Sequence, residues 1–146
     1  MRSQNVSHLP FVRHLHFWHA APVLETVVVV DDDEAIREAM LDLLVLEGFA
    51  VLSARDGAEA LGVLAGAPRP CVAIVDLVMP RVDGWHLVRA IVDDPALRGI
   101  GVVCSTAGRG EMPSGCSAIL RKPFEADALV DAIRRALTDA RQALAL

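Results

Sequence analysis

The sequence predicts an α/β fold in which a five-stranded parallel sheet is covered by helices on both faces. Short, continuous apolar runs alternate with segments of helical periodicity, and this pattern is typical of strands that are buried on both faces. Hydrophobic residues make up 53% of the 146-residue chain, which argues against disorder and suffices for one buried core. We therefore expect one folded domain.

The strands are predicted at five apolar runs. The first is a β-branched run that ends abruptly at three aspartates, as a buried strand does where it meets a polar loop. The other runs are equally short and are also bounded by turn-forming or polar residues. The predicted strands cover residues 27–30, 50–52, 71–75, 100–104 and 118–121.

The helices are predicted from apolar spacing and from start and stop signals. Gly48 is a stop signal for the first helix, and Asp83 is expected to cap the third, which begins near Trp85. Gly84 is expected to let the loop before that helix turn tightly. The predicted helices cover residues 34–47, 58–65, 85–92 and 125–144.

The segment between the fourth and fifth strands departs from the strand–helix alternation. Residues 107–117 contain three glycines and a proline and almost no apolar periodicity. Glycine and proline in a helix interior are both unfavourable. We expect the helix that would normally stand there, the fourth in order, to be shortened or missing.

Residues 1–25 are predicted to be an N-terminal extension, and residues 26–146 the folded domain. Pro10 and Pro22 interrupt the extension, and four histidines stand among its aromatic and aliphatic residues. A flexible or loosely packed tail is the simplest interpretation, and a partner-docking segment is an alternative. A metal site is disfavoured because no carboxylate or cysteine joins the histidines at a useful spacing.

Composition excludes several classes of protein. The formal charge of −5 argues against general nucleic-acid binding. No apolar stretch approaches the roughly 20 residues that span a bilayer, and no secretion signal is evident, so we expect a cytoplasmic protein that does not bind membranes. Cys71, Cys104 and Cys116 lack CxxC spacing, and we expect no redox or metal role for them. Cys71 and Cys104 lie in or beside apolar runs, where a cysteine usually acts as a small buried hydrophobe.

Polar residues follow four of the predicted strands. Asp31 and Asp32 follow the first strand, Asp76 the third, Thr106 the fourth and Lys122 the fifth. Ligands of open α/β sheets bind beyond the carboxyl ends of the strands. We therefore expect these side chains to meet at one edge of the sheet.

The residue types at this edge suit phosphoryl chemistry. Adjacent carboxylates such as Asp31 and Asp32 repel each other unless a cation neutralises them, and Mg²⁺ prefers such oxygen ligands; an acidic helix N-terminus explains the same pair equally well. A carboxylate such as Asp76, close to Mg²⁺, can attack a phosphoryl donor. Lys122 and the hydroxyl of Thr106 can contact the phosphoryl oxygens.

Four segments together resemble the signature segments of the response-regulator receiver family (CheY-like domains of two-component signalling). They are VVVVDDDEAIREAML, IVDLVMPRVDGWHL, VVCSTA and LRKPF, and the resemblance extends from Thr26 to Arg141. It implies a flavodoxin-like (βα)5 doubly wound sandwich.

The resemblance also implies a role for each residue of the edge. Mg²⁺ would be bound by Asp31, Asp32, Asp76 and the backbone carbonyl of Val78. Asp76 would be the phosphoacceptor. The remaining implied features are Thr106 as the switch hydroxyl, the amide of Ala107 as a phosphoryl contact, Lys122 as the phosphate-binding lysine, and a cis Lys122–Pro123 bond.

The sequence departs from the family pattern at three places besides the helix. Ile119 stands where receivers often have a rotating aromatic residue, so the response to phosphorylation is expected to differ. Val78 and Gly108 stand where family side chains influence the attacking water. Neither can position a water through its side chain, and we expect slow autodephosphorylation.

The leading hypothesis is a single-domain response regulator that receives a phosphoryl group on Asp76 from a histidine kinase or a histidine phosphotransfer protein. It would act as a conformational switch for a downstream protein or as a phosphorelay intermediate, since the last helix ends near the end of the sequence and no output domain is expected. We expect no enzymatic activity beyond its own phosphorylation and dephosphorylation. A homodimer is an alternative to a monomer.

The alternatives to this function are an unphosphorylated pseudo-receiver that acts as a scaffold and a hydrolase with an aspartyl-phosphate intermediate. The hydrolase is disfavoured because Val78 occupies the position of its general acid/base.

Overall fold

Five parallel strands form one sheet in the computed structural model, which describes residues 23–79 and 83–146. The order of the strands is β2-β1-β3-β4-β5, so β1 and β3 lie side by side at the centre. The strands are β1 (Thr26–Val30), β2 (Ala50–Ala54), β3 (Cys71–Asp76), β4 (Ile100–Thr106) and β5 (Ala118–Arg121). The predicted sheet is confirmed. The proposed extension at residues 1–25 lies almost entirely outside the described residues.

Four α-helices cover this sheet within the described ranges. They are α1 (Glu34–Leu46), α2 (Gly57–Gly66), α3 (Gly84–Asp93) and α4 (Ala126–Leu144), and a short 3₁₀ helix (Pro95–Leu97) follows α3. All four predicted helices are confirmed to within two residues at each end, whereas the 3₁₀ helix was not predicted. None of the helices that the structure describes is long and apolar enough to cross a membrane.

The core has two layers, one on each face of the sheet. Val28 and Val30 pack with α2 and α3, whereas Val27 and Val29 pack with α1 and α4. Successive side chains of a strand point to opposite faces. Both faces are covered, which is why β1 is apolar at consecutive positions instead of alternating.

Aspartate caps begin three of the helices. The side chains of Asp33, Asp56 and Asp83 accept hydrogen bonds from the amides of Ile36, Glu59 and His86 at 3.1, 2.8 and 2.8 Å. These bonds satisfy amides that have no partner within a helix. The prediction that Asp83 caps α3 is confirmed.

Residues 107–117 contain no helix, as predicted.

The expectation for the cysteines is wrong for two of the three: Cys104 and Cys116 form a disulfide, whereas Cys71 is free and buried. The pair is 12 residues apart and has no recognisable spacing motif. β5 returns beside β4, with Cys104 opposite Ile119 in the register, and this long-range pairing brings the two cysteines together.

Candidate functional site

Three carboxylates meet at the carboxyl edge of the central strands. Asp31 follows β1 directly and Asp76 ends β3, and these neighbouring strands pair with Val30 opposite Val75. Carboxylate oxygens of Asp31, Asp32 and Asp76 all lie within 4.8 Å of one another. The predicted meeting of these residues is confirmed.

Asp31 is buried and is held by two hydrogen bonds. The residue is 2% exposed, and its Oδ1 accepts a hydrogen bond from the amide of Asp33 at 2.9 Å. Its backbone carbonyl accepts a hydrogen bond from the guanidinium of Arg37 at 2.8 Å. Asp32, in contrast, is exposed, so the acidic cluster has one carboxylate open to solvent.

Asp76 is buried and has one constrained oxygen. Its Oδ1 accepts a hydrogen bond from the amide of Val78 at 3.1 Å, which leaves Oδ2 facing Lys122. Burial raises the pKa of the Asp76 carboxyl, and the nearby charges of Asp31 and Asp32 act in the same direction. The Val78 amide and the Lys122 ammonium oppose this increase in pKa without cancelling it.

Lys122 connects the two buried carboxylates. Its Nζ lies 3.2 Å from Oδ2 of Asp31 and 3.5 Å from Oδ2 of Asp76. It is the only lysine in the sequence, and every other basic side chain apart from histidine is an arginine. Its amide donates to the carbonyl of Thr106 at 2.8 Å, and the Lys122–Pro123 bond is cis, as the family resemblance implied.

Thr106, the last residue of β4, and Ala107 lie at the same edge, but their side chains do not contact the carboxylates. The Thr106 hydroxyl is buried and accepts a hydrogen bond from the amide of Gly108 at 3.0 Å, while Ala107 is exposed. The carbonyl of Gly108 accepts from the guanidinium of Arg121 at 2.8 Å. The side chains of four predicted site residues thus meet, namely Asp31, Asp32, Asp76 and Lys122, and the side chains of these two lie alongside.

Val78 and Ile119 have exposed side chains. Val78 is 73% exposed and Ile119 44% exposed. Val78, whose carbonyl is the predicted metal ligand, lies in the loop that follows Asp76. Its amide donates a hydrogen bond back to the Asp76 carboxylate. Ile119 lies on β5 and presents an aliphatic surface there.

Gly84 supports the site in a way that the sequence did not reveal. A Cβ at this position would overlap the backbone carbonyl of Asp76 and the Cα of Leu77. Its φ is outside the left-handed region, and the close packing of α3 against the end of β3 is what requires a glycine here. The predicted tight turn falls on the loop that includes residues 80–82, which lie outside the described residues. Nothing in one sequence signals an approach between two separate segments.

Ser105 was also not predicted as part of the site. It lies opposite Asp76 in the register of β3 and β4. Its hydroxyl is buried and has no hydrogen-bond partner among the described residues. A polar group without a partner is costly in a core, and here it lies next to the acidic cluster.

The acidic cluster fits a hard divalent cation. All three side chains offer oxygen ligands, one of them from the solvent side, and only the Lys122 ammonium lies within 4 Å of them as a counter-charge in the described part of the chain. Mg²⁺ usually binds one or two carboxylates and keeps several waters. An open, oxygen-rich and negatively charged cluster has these properties.

Comparison with known proteins gives one consistent result. A family model described as the response regulator receiver domain matches residues 27–134. The response regulator PleD of Caulobacter vibrioides is 38% identical over 118 residues, which are 77% of this chain and 26% of PleD. The polar-differentiation response regulator DivK of Brucella anthropi is 32% identical over 122 residues, which are 80% of this chain and 98% of DivK.

A solved structure agrees with these relatives. The CheY-like receiver domain protein from Methanospirillum hungatei superimposes with a TM-score of 0.71 at 28% identity, over 81% of this chain and 98% of that one. The chain therefore spans about a quarter of PleD and nearly all of DivK and of this receiver structure.

Proposed function

This chain belongs to the response regulator receiver domain family, and we propose that it is a phosphorylation-controlled switch whose phosphoacceptor is Asp76. A receiver is a signalling phosphoacceptor of two-component systems and not a true enzyme. The observation that supports the proposal most is the convergence of Asp31, Asp32 and Asp76 on one point, with Lys122 beside two of them.

The metal in this proposal is Mg²⁺, held by the three carboxylates and by the backbone carbonyl of Val78. When bound, it would offset the negative charge of the carboxylates and of an incoming phosphoryl group. The all-oxygen character of the cluster supports this assignment.

The protein's own residues have distinct tasks in the transfer. Oδ2 of Asp76 attacks the phosphorus, because Oδ1 is occupied by the amide of Val78; an O–P bond forms as the N–P bond to the donor histidine breaks. Lys122, 3.5 Å from that oxygen, stabilises the negative charge of the phosphoryl group as a point charge. Thr106 and the amide of Ala107 would donate to the other phosphoryl oxygens after Thr106 turns away from Gly108.

The partners in this proposal are of two kinds. Membership of the family implies a cognate kinase, and we propose a histidine kinase or a histidine phosphotransfer protein as the donor. We propose an unidentified protein as the downstream partner, and the cytoplasm as the location. The match to 98% of DivK supports a role as a single-domain regulator.

A second candidate is a pseudo-receiver that works as a scaffold without phosphorylation. The absence of a helix from residues 107–117 favours it, because this segment lies next to Thr106, whose movement a phosphorylation switch would use. The acidic cluster would then have only a structural role.

Incubation with acetyl phosphate and Mg²⁺, followed by intact-mass measurement, separates the two candidates. We expect wild-type protein to gain one phosphate and Asp76→Asn to gain none. Asp33→Asn is the matched control, because Asn caps helices as well as Asp does, and it should gain phosphate like the wild type. Failure of wild-type and control protein to gain phosphate would instead support the scaffold.

A further inference from the structure

We propose that the Cys104–Cys116 disulfide is a reversible thiol–disulfide switch that fastens the latch segment, residues 107–117, to α3 and to the sheet. The bond joins a β4 residue to the far end of the segment, with the two Cα atoms 6.2 Å apart. Cys104 is fully buried, whereas Cys116 is partly buried against the same core layer. The disulfide therefore ties an irregular surface segment to the interior.

Few hydrogen bonds hold the latch segment, although Met112 within it is partly buried against the core. Hydrogen bonds link its ends to the strands: Ser117 donates to the carbonyl of Val102 at 2.8 Å, and Gly108 accepts from Arg121 at 2.8 Å. No hydrogen bond connects residues 109–116 to a strand or helix in the described part of the chain. A segment with so few ties opens at low free energy once its covalent bond is broken.

The closed latch segment also shapes the surface of α3. Gly115 has a φ of +96°, and a Cβ there would come within 2.5 Å of a methyl carbon of Val92. Pro113 and Ser114 form one wall of a groove whose other wall is α3, with Trp85 among its residues. Opening of the segment would remove one wall of this groove.

The same segment begins at the candidate phosphorylation site. Cys104 is two residues before Thr106 on β4, and the segment starts at Ala107. This inference rests on the proposed function: we infer that reduction of the disulfide changes how Thr106 and Ala107 contact the phosphoryl group. The thiol–disulfide state would then modify a signal that arrives through Asp76.

The chemistry is thiol–disulfide exchange with a cellular dithiol or with glutathione. A thiolate attacks Sγ of Cys116, the less buried of the two cysteines; the S–S bond breaks, and Cys104 leaves with the electron pair and takes up a proton. A second thiol then attacks the external sulfur of the mixed disulfide, so Cys116 is released as a thiol and the external couple is oxidised by two electrons. Cys71 does not compete, because its thiol is buried and burial raises its pKa.

Thiol counting tests whether the bond forms. The full chain is equilibrated with oxidised or reduced glutathione, quenched in acid, unfolded and alkylated, and its mass is measured. We expect one alkylated cysteine, Cys71, under oxidising conditions and all three under reducing conditions. Three alkylated cysteines in every buffer would refute the switch.

Limited proteolysis tests whether reduction releases the latch segment. Arg109 is exposed and within the segment, whereas Arg98 is exposed and outside it. We expect trypsin to cut after Arg109 roughly tenfold faster in the reduced protein, with cleavage after Arg98 unchanged. The cut is detected after quenching and full reduction, because the intact disulfide would hold the fragments together.

Two variants control the result. Cys116→Ser should be cut after Arg109 at the fast rate in both redox states, and Cys71→Ala should respond like the wild type. Equal rates of cleavage after Arg109 in oxidised and reduced wild-type protein would refute the proposal, even if Cys116→Ser failed to fold.

The link to phosphorylation is measured separately. We expect oxidised and reduced protein to differ severalfold in their initial rates of phosphorylation by acetyl phosphate with Mg²⁺, and equal rates would refute the link. An absence of phosphorylation in both states would contradict the proposed function, whereas thiol counting and proteolysis would still decide the switch.

Discussion

At the scale of single residues, the site is shaped by a conflict between burial and charge. Asp31 and Asp76 are both buried and share the ammonium group of Lys122. Burying a carboxylate is costly unless it is fully paired. The raised pKa of Asp76, caused chiefly by burial, indicates that pairing does not fully offset this cost. The acidic cluster therefore lowers the stability of the fold.

Asp76→Asn should raise the melting temperature by several degrees at neutral pH without divalent ions. A carboxyl whose pKa is raised by folding favours the fold when protonated, and this contribution is lost as pH increases through the raised pKa. The gain from the substitution should therefore shrink as the pH falls through the raised pKa, and it should be nearly gone below about pH 4, where the unfolded carboxyl is also protonated. Thermal unfolding of both proteins from neutral pH to below about pH 4 measures the difference in melting temperature and its sign. Asp42→Asn, at an exposed position, is the control. A lower melting temperature for Asp76→Asn at neutral pH would contradict it.

The phosphorylated form should be long-lived because Val78 and Gly108, at the two positions where receivers influence the attacking water, have no side chain that orients water. Val78 is exposed and apolar, and Gly108 has no side chain. We expect a lifetime of minutes or longer, and a severalfold shorter one in Val78→Asn, whose amide can hold a water. Phosphate release after removal of acetyl phosphate measures this, with the exposed Val45→Asn as control. A wild-type lifetime of seconds would refute the prediction.

At the scale of the elements, the strand ends and helix starts place the chemistry. Asp33 and Asp83 cap α1 and α3, so the acidic residues before α1 divide into a cap and a pair that faces the site. Residue type alone left Asp31 and Asp32 open between a helix N-terminus and a metal site, because both interpretations favour aspartate. The hydrogen bonds and burial of each residue separate them.

Gly84→Ala should destabilise the protein by about 1–3 kcal/mol, the usual cost of overpacking. The new methyl group would overlap the backbone at Asp76 and Leu77, and α3 or the end of β3 must move. Gly62→Ala is the matched control, because its Cβ would meet nothing within 4 Å and alanine favours the helix by roughly 1 kcal/mol. Urea unfolding measures both changes, and equal stability of the two variants would contradict the close-packing explanation. Phosphorylation by acetyl phosphate should also slow in Gly84→Ala only.

At the scale of the whole molecule, the sheet order creates the site. The strands carrying Asp31 and Asp76 are neighbours, and β4 and β5 follow on the same side of β3. Residues 91 positions apart in the sequence, Asp31 and Lys122, thus come within 3.2 Å. A ligand bound across this edge contacts segments from most of the chain, so its binding should stabilise the entire fold.

Mg²⁺ should therefore stabilise the protein globally. Binding to the folded state alone contributes about 2.7 kcal/mol at a concentration 100 times the dissociation constant. We expect a higher melting temperature with Mg²⁺ in the wild type, and little or no increase in Asp32→Asn, which removes an exposed ligand without disturbing the core. Asp33→Asn should respond like the wild type. An equal response of Asp32→Asn and wild-type protein would place the cation elsewhere.

The acidic residues of the site were predictable from the sequence, whereas the residues that pack around them were not. Apolar runs followed by polar residues located the acidic residues, and the parallel topology brought them to one edge, because all strands of such a sheet end on the same side. The absence of a helix after Thr106 followed from local composition. Gly84 and the register neighbour Ser105 could not be recognised, since their roles depend on contacts with distant segments.

The sequence by itself determined the alternation of strands and helices, the order of polar residues along the chain and the family, because these depend on local propensity, periodicity and motifs. Only the tertiary structure decided that Cys104 and Cys116 pair and that Lys122 contacts Asp31 as well as Asp76. Distances across a fold depend on strand order and on the packing of helices against the sheet. Those arrangements are set by the whole chain and not by any one segment of it.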